Sequence, residues 1–196
     1  METALADAVA GGNPDLEYVR GMAAGDESAL RGLYAAYGRR LYAYALRLAG
    51  DAAVAEEALQ DSLLAAWNGA GRFRGDAGVL TWLLGIVHHQ ALNAVRRKRL
   101  PAADLEAAAE VKDEASLPAE RAEAADRRRA LAACLRQLPR EQQAALTLVF
   151  FEGLTLAEVA QVCGCPVGTV KSRLSAAKTH LRRALAAVGL EAEDLV

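Results

Sequence analysis

Apolar residues recur every three or four positions over most of this chain, which is the spacing of one face of an α-helix. Runs of β-branched residues, which favour strands, are missing. Hydrophobic residues make up 53% of the sequence, but Ala inflates this share and aromatic residues contribute only 5%. Helix-forming residues therefore dominate, and the pattern predicts an all-α protein.

Gly and Pro residues interrupt this spacing and divide the chain into segments. Residues 1–20 are acidic and contain Gly and Pro, so we predict a flexible tail. Residues 100–125 are rich in Ala and Glu and offer few side chains for a core, so we predict a flexible acidic linker. Two small helical domains, residues 21–99 and 126–190, are predicted around the linker, and residues 191–196 form an acidic tail. One helix is predicted to begin at about Asp15, and in the first domain three more are predicted from Asp26 to Gly50, from Asp51 to a Gly-rich loop, and over about residues 79–99. In the second domain, helices are predicted from Asp126 to Leu138 and from Arg140 to Phe151, followed by a pair of helices after Gly153.

The last pair of predicted helices has the signals of a helix-turn-helix. Thr155 and Glu158 have the spacing of a capping box, in which each side chain satisfies a backbone amide at a helix start. Gly164 can adopt the left-handed conformation that ends a helix, and Pro166 suits the first turn of the next one. The turn is therefore predicted at residues 163–165.

The second helix of this pair is predicted to read DNA. Its apolar residues form one stripe that faces a core: Val167, Val170, Leu174, Ala177, Leu181 and Leu185. The opposite face carries cations and short hydroxyls that can reach phosphates and base edges in a major groove. These are Thr169, Lys171, Ser172, Arg173 and Lys178. Any amphipathic surface helix has a charged face, but here the cap, the turn glycine and the apolar spacing agree on DNA binding.

The net charge of −2 hides an uneven distribution along the sequence. Residues 1–20 carry a net charge of −3 and residues 100–125 one of −5, whereas residues 21–99 and 126–196 each carry +3. Both predicted domains are therefore mildly basic, as a nucleic-acid-binding protein requires.

Three cysteines do not make a disulfide framework, and they predict a reducing compartment. Cys163 and Cys165 with His180 lack a fourth ligand for a structural zinc site, so we predict buried thiols and no metal or cofactor. The first residues lack the basic start of a signal peptide, and no apolar run is long enough to span a bilayer. These features predict a soluble cytoplasmic protein.

The motifs of both domains together identify the chain as similar to a known family. The segments AEEALQDSLLAAW, RFRGDAGVLTWLLGIVHHQALNAVRR and LPREQQAALTLVFFEGLTLAEVAQVCGCPVGTVKSRLSAAKTHLRRAL occur in the order and spacing of RNA polymerase sigma factors. The resemblance is to the extracytoplasmic-function (ECF) subfamily of the sigma-70 family. It implies a region 2 domain that docks on core polymerase and captures the minus-ten element, and a region 4 domain that reads the minus-thirty-five element.

The resemblance also implies roles for single residues, each at a position that matches a family motif. Glu57, Gln60 and Asp61 would face core polymerase, and Lys171, Ser172, Arg173 and Lys178 would contact the minus-thirty-five duplex. The residues that would approach the melted minus-ten strand are Arg72, Arg74, His88, His89, Asn93 and Arg96. A Phe73–Trp82 pair near this loop is either core or a stacking platform for an unpaired base.

The chain departs from the family pattern at three places. His89 stands where the pattern usually has Asn, so the base preferred in the minus-ten element is open. Ala176 removes one polar residue from the recognition helix. Ala58, Leu59 and Ser62 are smaller than the apolar residues that the pattern usually has there, which predicts a modest contact with core polymerase.

The function that the resemblance implies is that of a promoter-specificity subunit with no catalytic residues. It would join core polymerase, recognise both promoter elements and help to open DNA, for a stress or envelope regulon. Its partners would be core RNA polymerase, promoter DNA and an anti-sigma factor, with no membrane insertion. The alternative is a stand-alone helix-turn-helix regulator that does not join polymerase, with a metal- or redox-dependent protein a distant third.

Overall fold

A computed structural model describes residues 14–99 and 129–187, and every regular element within these two ranges is helical. The all-α prediction is therefore confirmed. The chain forms two compact units. The first contains α1 (Pro14–Ala23), α2 (Glu27–Ala49), α3 (Ala52–Gly69), a 3₁₀ helix (Ala70–Arg72) and α4 (Val79–Arg99). The second contains α5 (residues 129–136), α6 (Arg140–Phe150), α7 (Leu156–Cys163) and α8 (Val167–Ala187).

Helix α1 corrects the predicted flexible tail at residues 14–20. Val19 and Met22 are buried, and α1 packs on α2, the 3₁₀ helix and α4. The acidic composition suggested a tail, but two apolar residues three positions apart give this short helix a buried face. The predicted helix start at about Asp15 is correct to within one residue, and residues 1–13 lie outside the described ranges.

The core of the first unit lies mainly between α2 and α4. Leu33, Leu41 and Leu48 of α2 are buried, as are Leu83 and Leu84 of α4. Asp26 begins α2 by accepting hydrogen bonds from the Ser28 amide and hydroxyl, both at 2.8 Å. These bonds lower the pKa of the Asp26 carboxyl.

The second unit is built around α8, which packs on α6 and α7. Leu138, Leu146 and Ala177 form a buried cluster, with Leu135 and Leu174 packed against it. Pro139 separates α5 from α6, and its carbonyl accepts hydrogen bonds from the first turn of α6. The predicted linker (residues 100–125) and tail (residues 191–196) lie outside the described ranges.

Candidate nucleic-acid interface

The capping box predicted at the start of α7 is present. The Glu158 amide donates to Thr155 Oγ1 at 3.3 Å, and Glu158 Oε2 accepts from the Thr155 amide at 2.9 Å and from its hydroxyl at 2.7 Å. Three hydrogen bonds therefore fix the residue at which α7 begins.

The turn between α7 and α8 depends on a left-handed residue. Gly164 has φ 61° and ψ 36°, and the Cys165 amide donates to the Ala160 carbonyl at 3.0 Å. This is the helix ending predicted for Gly164, and a side chain there would strain the backbone. Pro166 directly precedes α8, one residue earlier than its predicted place in the first turn, and its carbonyl accepts from the Thr169 amide.

Helix α8 presents the predicted polar face to solvent. Lys171, Ser172 and Lys178 are exposed, whereas Thr169 is half-buried and its carbonyl accepts from the Ser172 hydroxyl at 2.9 Å. The opposite stripe is buried at Val170, Ala177 and Leu185. Val167, predicted to join that stripe, is 39% exposed because it lies at the first position of the helix.

Arg173 differs from the other cations of α8. It is half-buried, and its Nη1 lies 3.5 Å from Sγ of Cys165 in the turn. Burial, together with the neighbouring Cys165 thiol, raises the pKa of Cys163 to about 11, which keeps that thiol neutral. The sequence did not predict the contact between Arg173 and Cys165. The two residues are eight positions apart, and the conformation of the turn decides whether their side chains meet.

His180, the third member of the zinc arrangement considered for the sequence, is engaged elsewhere. Its Nδ1 lies 2.9 Å from Gln142 Oε1 on α6. Among the residues that the structure describes, no group of three or more His, Cys, Asp or Glu side chains is arranged to hold a metal ion. None of the described helices is long and apolar enough to cross a membrane.

In the first unit, the structure separates the two histidines assigned to the minus-ten strand. His88 is only 4% exposed and shares a 2.8 Å hydrogen bond with the Tyr44 hydroxyl of α2, so it is a core residue and not part of a DNA-facing surface. His89 is exposed beside it, with the two rings edge to face at 5.7 Å. Asn93 and Arg96 are also exposed and follow His89 at helical spacing, so these three residues share one face of α4.

The loop before α4 contains the remaining two cations of the predicted minus-ten site. Arg72 is exposed at the end of the 3₁₀ helix, and Arg74 forms an exposed 2.9 Å ion pair with Asp76. Phe73 is half-buried, and its ring centroid lies 5.0 Å from that of Trp82. These rings pack on each other, which favours the core alternative for the aromatic pair.

The acidic face of α3 is where the sequence predicted it, with one cation that was not foreseen. Glu57 and Gln60 are exposed and Asp61 is half-buried. Arg97 Nη2 of α4 reaches Glu57 at 2.8 Å and Asp61 at 3.3 Å. The hydrogen bond to Glu57 is the main reason why the pKa of Arg97 is raised. The partners are 40 and 36 residues apart, so no local pattern reveals them.

The structure has two helical units. One contains a helix-turn-helix, and the other has an acidic face on α3 and a basic face on α4. This arrangement defines the class as two-domain DNA-binding proteins. The family described as Sigma-70 region 2 matches residues 33–100, and Sigma-70, region 4, matches residues 128–187. The chain therefore belongs to the sigma-70 family, and its relatives place it among the ECF RNA polymerase sigma factors.

The relatives cover nearly the whole of this chain. The ECF RNA polymerase sigma factor SigM of Mycobacterium tuberculosis is 38% identical over 87% of this chain and 84% of its own length. The RNA polymerase sigma-H factor of Pseudomonas aeruginosa is 34% identical over 87% and 93%.

Two solved structures share the fold at 23% identity. CnrH, solved in complex with the cytosolic domain of CnrY, has a TM-score of 0.65 and covers 89% of this chain and 99% of its own. The sigma factor RpoE of Bartonella quintana, solved with the anti-sigma factor NepR, has a TM-score of 0.62 and covers 80% and 96%.

Proposed function

We propose that this protein is a dissociable promoter-specificity subunit of RNA polymerase. Its region 4 unit reads the minus-thirty-five element through α8, and its region 2 unit docks on core polymerase and captures the minus-ten strand. The observation that carries the proposal is the presence, within one chain, of a capped helix-turn-helix with an exposed basic face and of the acidic face of α3.

The side chains of α8 and α4 suit different forms of DNA. Lys171 and Lys178 are exposed donors on one helix, which suits phosphate and base-edge contacts in a duplex major groove. The exposed Ser172 hydroxyl donates to the Thr169 carbonyl and can still accept a hydrogen bond from a base edge. His89, Asn93 and Arg96 offer ring, amide and guanidinium groups on one face of α4, which suits an unpaired strand better than a duplex. Capture of a base out of the stack would occur between this face and Arg72.

The proposed docking surface is Glu57, Gln60 and Asp61 on α3. Carboxylates at the rim of an interface act mainly on association rate, because they steer a complementary positive surface during diffusion. A stand-alone regulator has no need for such a face. The protein would act in the cytoplasm without catalysis of its own, and an anti-sigma factor would hold it inactive by covering its polymerase- or DNA-binding faces.

Run-off transcription tests the proposal directly. Purified core polymerase is mixed with the full chain and a library of genomic fragments, and new transcripts are mapped. We expect initiation at a small set of promoters that share a minus-ten and a minus-thirty-five element. DNA binding by the chain without any new transcript, and without co-purification with core polymerase, would support the stand-alone regulator instead.

The docking face has its own test. Glu57→Lys with Asp61→Lys should slow assembly with core polymerase, most strongly at low salt, while the far-ultraviolet spectrum stays that of the wild type. Glu17→Lys is the matched control, because Glu17 is an exposed acid of the same unit that lies on α1, away from the proposed face on α3. Assembly at the wild-type rate in low salt would contradict the assignment.

A further inference from the structure

Arg97 holds two carboxylates of the proposed docking face. One guanidinium nitrogen lies 2.8 Å from Glu57 and 3.3 Å from Asp61. Neither the sequence nor the resemblance gave Arg97 a role, and the end of α4 alone explains a cation there through the helix dipole. The dipole, however, does not explain why the side chain turns toward α3.

This ion pair is easily broken. The side chains of Arg97, Glu57 and Asp61 are 53%, 55% and 43% exposed, so water screens all three charges. Exposed pairs of this kind shift an equilibrium by at most about fivefold. A partner with several complementary charges can therefore bind either the guanidinium or the two carboxylates, because breaking the ion pair costs little free energy.

Both sides of the pair have a second use in the proposed function, on which this inference rests. Glu57 and Asp61 lie where a cationic surface of core polymerase would dock. Arg97 directly follows Arg96 and lies four residues after Asn93, both assigned to the minus-ten strand. If that face binds the minus-ten strand, a guanidinium released from α3 at this position would lie next to the phosphates of the strand.

We propose that Arg97 is an exchangeable counter-ion: it neutralises the docking face of the free protein and moves to a DNA phosphate when core polymerase takes Glu57 and Asp61. The exchange couples the two binding events. Because coupling between two equilibria is reciprocal, DNA that occupies Arg97 also leaves the carboxylates open to polymerase.

The first test uses the free chain, without polymerase. Sequence-independent binding to a defined single-stranded DNA is measured over a series of salt concentrations for the wild type and for Glu57→Gln with Asp61→Asn. Loss of the carboxylates should release Arg97, and one added phosphate contact on a single strand steepens the slope of log affinity against log salt by about 0.7.

Two controls separate this effect from a simple loss of negative charge. Glu56→Gln removes one acid from α3 without touching the ion pair and should leave the slope unchanged. Adding Arg97→Gln to the double variant should abolish the gain, since the released cation is then missing. Equal slopes for the wild type and the double variant, or a gain that persists without Arg97, would overturn the proposal.

The second test uses the complex with core polymerase. Arg97→Gln should flatten the salt slope of promoter binding by about 0.7 in the complex, because the lost contact is with a single strand, and leave that of the free chain unchanged. If Arg97 acted in folding alone, Arg97→Gln would change the melting temperature. Its salt slope would then equal that of the wild type both in the complex and in the free chain. Failure of the docking hypothesis would be seen separately, as normal assembly of the Glu57→Lys, Asp61→Lys variant, because the free-chain measurements involve no polymerase.

Discussion

Replacing Thr155 by Ala should loosen the helix-turn-helix by a calculable amount. The substitution removes the acceptor of the Glu158 amide, at 3.3 Å, and the hydroxyl that donates to Glu158 Oε2 at 2.7 Å, while the bond from the Thr155 amide at 2.9 Å remains. Loss of such a cap costs about 0.5–2 kcal/mol. Because the lost amide bond is long and one bond of the box survives, we expect about 1 kcal/mol, or about fivefold in a local opening equilibrium.

Amide hydrogen exchange of the full chain, read peptide by peptide, measures this change where it occurs. Protection in peptides from α7 should fall about fivefold, while peptides from α2 in the other unit keep their protection. Thr155→Ser is the matched control, since it retains the hydroxyl and should restore protection. Unchanged exchange in α7, or an equal loss of protection in α2, would refute the reasoning.

Three further predictions concern four side chains. If Lys171 or Arg173 contacts a base, its replacement by Ala should cost about 1–3 kcal/mol and relax base preference, whereas loss of a phosphate contact should weaken DNA binding evenly across sequences and flatten the salt slope. Titrations against a promoter panel distinguish these outcomes, and no effect in either variant would contradict a DNA contact by both residues. His89→Asn should change the preferred base at one minus-ten position and leave the minus-thirty-five preference intact; an identical ranking of all promoters would exclude His89 from readout. Cys163, whose pKa is raised from 9.0 to about 11, is mostly protonated below that pH, so its alkylation rate, followed by mass spectrometry, should keep rising up to about pH 11. A rate that levels off near pH 9, as in an unfolded chain, would contradict its burial.

Features set by neighbours in the sequence were predictable. Helix α4 begins at Val79 and ends at Arg99, as predicted, because a glycine-rich loop precedes it and its apolar spacing is regular. The capping box of α7 and the left-handed Gly164 were likewise predictable, since each depends on residues at most five positions apart. Short-range signals of this kind operate before any tertiary contact forms.

His88 shows where a usable signal was overlooked. It lies four residues after Leu84 and three before Ala91, both buried, so the helical period already places it on the core stripe of α4. The motif resemblance pointed to DNA instead. A histidine that falls on an apolar stripe should first be given a buried partner, and here that partner is the hydroxyl of Tyr44, 44 residues away.

Arg97 is different, because no sequence signal could pair it with α3, and its presence changes how the docking face must be tested. Reversing Glu57 and Asp61 to Lys removes two anions that polymerase would need, but it also places two cations beside the Arg97 guanidinium. Slow assembly of that variant alone could therefore arise from like-charge repulsion between α3 and α4. Glu57→Gln with Asp61→Asn removes the anions without this repulsion. If Glu57 and Asp61 steer polymerase, the neutral variant must also assemble slowly, with a smaller salt dependence than the wild type.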